Sequence, residues 1–345
     1  MRRVNDAADG FTLIELLITI TIIGILASLG LGALYKAQEQ AREAKTKNTI
    51  YKLHVAMMHR WEGYRYRRLP ISILPNERVF DLNDVDGYPN SMGFAWRQLN
   101  MRRALMRMEL PQRWDEVTNP FLAFPYTPPL ARTSLATAYF QYYTIRNNQT
   151  PITDANEDAE CLYMIMSMGE DTSLVAEQLT HSEVGDTDGD GALEFLDAWG
   201  NPIHFLRWAP GFAAVNPWGS AIVNFVPVES ALQAGIADPN AGGFFQEEHD
   251  PFDSRNVHKL AYALYPLIYS SGPDGVPDIL HKVLDANGQP QNVGLNNLGN
   301  LDPYQLVPAP NNGPGESLIG QPFDRDLDGT LQHLDNIHNH IKSQR

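Results

Sequence analysis

Residues 11–34 form an apolar run with a single charged side chain, Glu15. As a helix the run measures about 36 Å at ~1.5 Å per residue. A bilayer's hydrocarbon core is about 30 Å thick, so the run is long enough to cross it. The ten residues ahead are largely polar and include Arg2 and Arg3. A basic leader before an apolar run is the outline of an export signal. In an ordinary secretory signal the small-residue cut site follows a shorter apolar core. In this chain the small residue, Gly10, precedes the run, so cleavage there leaves the hydrophobic helix on the mature protein. A lone acid in such a span is expensive in lipid and marks function.

Gly10, Phe11, Thr12, Leu13 and Glu15, with the apolar run behind them, resemble the signal shared by type IV pilins and the pseudopilins of type II secretion. The resemblance implies that a membrane-embedded prepilin peptidase cuts after Gly10 and methylates the new terminus at Phe11. It implies an assembly role for Glu15. An ionised carboxylate in lipid needs a partner. In the family that partner is the N-terminal amine of a neighbouring subunit, so subunit addition satisfies both charges.

The chain has 345 residues and a net charge of −15. Residues 35–69 hold nine basic against three acidic side chains, so the rest of the chain is strongly acidic. An acidic globular part excludes nucleic acid as an expected partner and suits bound cations. The basic segment beside the span would by itself keep the C-terminal side in the cytoplasm, but long domains translocate largely regardless of flanking charge. The signal therefore sets the expected location: inner membrane, single pass, with the C-terminal domain in the periplasm. Cys161 is the one cysteine, so no intrachain disulfide forms. Its setting in Glu160-Cys161-Leu162-Tyr163-Met164-Ile165 reads as a buried helix rather than a reactive site.

Beyond the span, residues 35–50 are rich in helix formers. Ile50, Leu53, Met57, Trp61 and Tyr64 then recur at steps of three and four, one apolar stripe facing a core, until Pro70. One helix is thus predicted from about Phe11 to Arg68. Shorter helices are predicted over residues 95–108, 135–146 and 155–167, and strands over 203–208, 222–228 and 267–269.

Two stretches have the spacing of an EF-hand-type calcium loop. The first places Asp186, Asp188, Asp190 and Asp197 at loop positions 1, 3, 5 and 12, with Gly191 at 6; the second repeats this with Asp324, Asp326, Asp328, Asp335 and Gly329. Alternate residues of a tight loop point inward, and glycine permits the sharp turn. A solvated acidic turn is the plainer reading of each. Asp197-Ala198-Trp199-Gly200-Asn201-Pro202 then resembles a motif of the major pseudopilin's C-terminal domain. Ser270-Ser271-Gly272-Pro273-Asp274-Gly275 resembles its calcium loop, which carries over Asp274 and Asp278 as candidate ligands. The gap between these two motifs, residues 209–266, is longer than in that family. His333, His338 and His340 lack helper ligands and read as solvated tail residues.

No nucleophile elbow, zincin signature or phosphate loop occurs, so no enzyme activity is expected. The predicted class is α+β: a long N-terminal helix, half in membrane and half soluble, packed on an antiparallel sheet domain with calcium-type loops. The expected divisions are a leader (1–10), an assembly helix (11–34), its soluble half (35–69), a mostly helical insertion (70–185), a β domain (186–284) and an irregular arm (285–345). The expected function is a structural subunit of a pseudopilus supporting protein export, with the prepilin peptidase, other pilin-like subunits and the inner membrane as partners. The alternatives are a type IV pilin or minor pilin for adhesion, motility or DNA uptake, and a membrane-anchored calcium-dependent binding module.

Overall fold

The computed structural model describes residues 13–69, 90–119, 131–169, 183–210, 250–253, 264–276, 279, 307–308, 316–317 and 337–339. The architecture is α+β, with one long helix, four shorter ones and small antiparallel sheets among the described residues. The chain divides into two compact units, Met1–Lys45 and Thr46–Arg345.

Helix α1 runs from Leu13 to Tyr66, close to the predicted bounds. In the first unit every described side chain from Leu13 to Leu34 is exposed. A helix apolar on all sides has no single face to bury in a soluble core. Glu15 lies in the first turn, where a negative charge complements the helix dipole. The Thr19 hydroxyl donates back to the Glu15 carbonyl and Thr21 to those of Leu17 and Ile18, so these two threonines satisfy their hydroxyls within the helix.

In the second unit the character of α1 changes to a stripe. Ile50, Leu53, Met57, Trp61 and Tyr64 are all buried, while Tyr51 and Val55 on the opposite side stay exposed. The stripe packs with α2 (Asn90–Glu109), α3 (Trp114–Thr118), α4 (Ser134–Gln149) and α5 (Glu157–Met168) into one core that also takes in Phe195, Ile203, Phe205 and Ile268. The Trp61 ring meets Phe252 edge-on at 5.1 Å. The predicted helices at 95–108, 135–146 and 155–167 correspond to α2, α4 and α5. The Thr133 hydroxyl caps α4 by accepting from the Ala136 amide, and α5 opens with Glu157, Asp158 and Glu160 in its first turn.

Two-residue strands β1 (Val184–Gly185) and β2 (Glu194–Phe195) pair as a hairpin whose loop holds Asp186, Asp188 and Asp190. Strands β3 (Ile203–Pro210), β4 (Leu264–Ser270) and β7 (Ile337–His338) form an antiparallel sheet with β4 central, and β5 (Val307–Pro308) pairs with β6 (Glu316–Ser317). Two of the three predicted strands are β3 and β4; the one at 222–228 lies outside the described residues.

Buried charge ties the helices to this sheet. Glu116 of α3 accepts from both terminal nitrogens of Arg207 on β3 and from Arg107 Nε on α2, and the Gln112 amide donates to it too. Burial pushes the Glu116 carboxyl up, but Arg207 and Arg107 outweigh it and hold the group at about 2. The Asp158 carboxylate of α5 lies 3.1 Å from Nδ1 of His204 on β3. Arg103 pairs with Asp250, and both are buried.

Candidate functional sites

The acidic hairpin loop is drawn tight by its own carboxylates. Asp186 accepts from the amides of Gly189 and Gly191, both at positive φ (79° and 92°) as the turn requires. Asp188 accepts from the Thr153 hydroxyl, and Asp190 from the amides of Thr153 and Ala192. Oxygens of Asp186, Asp188 and Asp190 lie within 4.8 Å of one another, so three of the predicted ligands converge.

Two further acids, absent from the predicted ligand set, join them. Glu160 of α5 and Glu194 of β2 bring oxygens within 4.8 Å of each other and of Asp188. Glu160 is 1% exposed and Glu194 0%. Glu160 Oε2 accepts from the Trp114 indole, whereas its buried Oε1 has no hydrogen-bond partner. Burial pushes Glu160 up to about 9; the Trp114 hydrogen bond opposes this, and Asp190, Asp188 and Glu194 add to it. Burial raises Glu194 as well, against hydrogen bonds from Thr187 and Asn156. The sequence does not single out Glu160, which is one of three acids, with Glu157 and Asp158, in the first turn of α5.

Asp197, predicted as the twelfth loop position, does not join this cluster. Its Oδ1 accepts from the amides of Trp199 and Asn201, and its Oδ2 from the Ser270 hydroxyl at 2.7 Å. The Asn201 amide group donates to the Gly272 carbonyl at 2.8 Å. The two motifs that flank residues 209–266 therefore meet through direct hydrogen bonds. Antiparallel pairing of Ile203 with Ser270 places them side by side. Gly200, at φ 95°, allows the turn, and the Ala198 amide donates to Thr46 on α1. Asp274 is exposed and caps its own turn by accepting from the Val276 amide. Asp278, Asp324, Asp326, Asp328 and Asp335 lie outside the described residues, as do Gly10 and Phe11. Cys161 is fully buried, and burial, with Glu157 and Glu160 adding to it, pushes its thiol well up. Such a thiol stays protonated and unreactive.

At the other end of the chain, α1 is the one helix among the described residues that is long and apolar enough to cross a membrane. Residues 7–31 match the family model for the prokaryotic N-terminal methylation motif. The chain carries that methylation motif. The motif is the target site of the prepilin peptidase, and with the apolar helix behind it, it is consistent with a type IV pilin-like protein. Glu15 falls inside the methylation motif and at the head of the apolar helix that follows it. No curated protein and no solved structure matches the chain.

Proposed function

We propose that the chain is a structural, non-catalytic subunit of a type II secretion pseudopilus. It is cut after Gly10, methylated at Phe11 and held in the inner membrane by the first half of α1, with the second unit in the periplasm. The observation that carries the reading is the methylation motif over residues 7–31 at the head of a 54-residue helix whose exposed apolar half bears one charge. Glu15 pairs with the terminal amine of a neighbouring subunit, so the filament grows helix against helix from the membrane. The direct contact of Asp197 with Ser270 and of Asn201 with Gly272 supports the pseudopilin over the pilin reading. It joins the two stretches that resemble the major pseudopilin.

Deleting the gene in its host separates the two filament types. The pseudopilus reading predicts that folded proteins normally released to the medium stay in the periplasm, while surface pili and motility persist. Lost pili with normal export would assign the chain to a pilus instead.

A further inference from the structure

We propose that Glu160, Asp188 and Glu194 bind a divalent cation of the calcium class, and that this ion clamps helix α5 to the β1–β2 hairpin. The three side chains come from a helix, a loop and a strand, and their oxygens lie within 4.8 Å of one another. A calcium ion holds each ligand oxygen at about 2.3–2.6 Å, so oxygens sharing one ion stand no more than about 5 Å apart. Two of the three carboxylates are buried, which is costly for like charges unless a cation or proton intervenes. The independent pointer to a ligand is Glu160 Oε1, buried and without a partner in a structure that satisfies Oε2 with an indole. Asp186 and Asp190 converge on the same Asp188 and deepen the negative field.

The donors are all oxygens, with no imidazole or thiolate among them, which favours a hard cation over zinc or copper. Their mixed origin suits the flexible, high coordination of calcium better than the rigid octahedron of magnesium. The site also departs from the loop pattern legible in the sequence. The last ligand is not Asp197, which is spent on the turn and Ser270, but a glutamate from a helix 26 residues before the loop begins. The inference is independent of the secretion reading, since it makes no use of the N-terminus.

The test uses the full-length protein in detergent micelles, stripped with chelator and titrated with calcium, magnesium and terbium. Calcium should raise the melting temperature more than equimolar magnesium. Glu160→Gln keeps the shape and removes the carboxylate that a cation would bind. It should leave the cation-free melting temperature unchanged or higher, yet weaken calcium binding about tenfold or more. Terbium, a luminescent stand-in for calcium, should be excited through the indole of Trp114, which touches Glu160; Trp114→Phe should dim that emission. Asp188→Asn, on the exposed loop, should reproduce the loss of calcium response without a packing change. The site is overturned if wild-type stability ignores calcium, if Glu160→Gln or Asp188→Asn keeps the full response, or if terbium emission survives Trp114→Phe undimmed.

Discussion

Glu116 shows how one side chain joins separate elements. It sits between Arg107 and Arg207 in the interior, and removing its charge takes the shared carboxylate from two buried guanidinium groups. Breaking a buried pair from one side costs about 3–5 kcal/mol. Glu116→Gln should therefore lower stability by roughly that much in a urea titration. The pH dependence has a defined sign. The folded carboxyl titrates at about 2, below its ordinary value of 4.5. The pairing thus stabilises fully above about pH 4.5 and is lost as pH falls through 2. Melting temperatures should decline across that window, and the Gln variant should show a flatter decline. None of this network was legible in the sequence, where Arg107, Glu116 and Arg207 look like ordinary surface charges. Their pairing depends on α2, α3 and β3 meeting in three dimensions. Glu15 is the opposite case, because an acid alone in lipid declares itself from composition. Glu15→Val should still insert and be processed, since the span becomes more apolar, but filament yield in a pull-down of cross-linked subunits should drop sharply. Normal yield would refute the assembly role.

The long helix and the turn before β3 each make a testable claim. In α1 the steps of three and four from Ile50 to Tyr64 gave the buried face directly, and all five stripe residues are buried. Leu53→Asp should unfold the second unit, because it places an unpaired charge in the core. Val55→Asp, two residues on and exposed, should change the melting temperature little. Circular dichroism of the two variants checks the helix's orientation in the core. The Asp197 turn was legible as a turn, but its carboxylate looked like a loop ligand, because spacing alone cannot show that Ser270 lies across from it. Asp197→Ala orphans that hydroxyl and two amides. A buried polar group left unsatisfied costs about 1–3 kcal/mol. The Ser270 hydroxyl is buried, whereas the two amides are part-buried and regain water, so a loss of at least about 1–3 kcal/mol is expected by denaturant melt. The acidic loop shows the same limit. Its three aspartates followed from the spacing, whereas Glu160 comes from another element and has no fixed offset to reveal it.

Taken as a whole, the chain joins an N-terminus that says where it goes to a folded unit that owes little to that instruction. Its first unit presents apolar side chains on every side of a helix, and its second buries a main core shared by the second half of α1, the shorter helices and the sheet, with a smaller cluster of Leu206, Ala209, Leu267, Tyr269 and Ile279 beside it. With one cysteine, that core, its buried ion pairs and the proposed cation must hold the fold without a disulfide. That the chain is a prepilin-type substrate rests on the match over residues 7–31. Intact mass spectrometry of the protein extracted from host membranes tests it most directly. The expected mature species begins at Phe11 and carries one added methyl group. A membrane pool that still begins at Met1 or Arg2, or that begins at Phe11 in no detectable fraction, would contradict it.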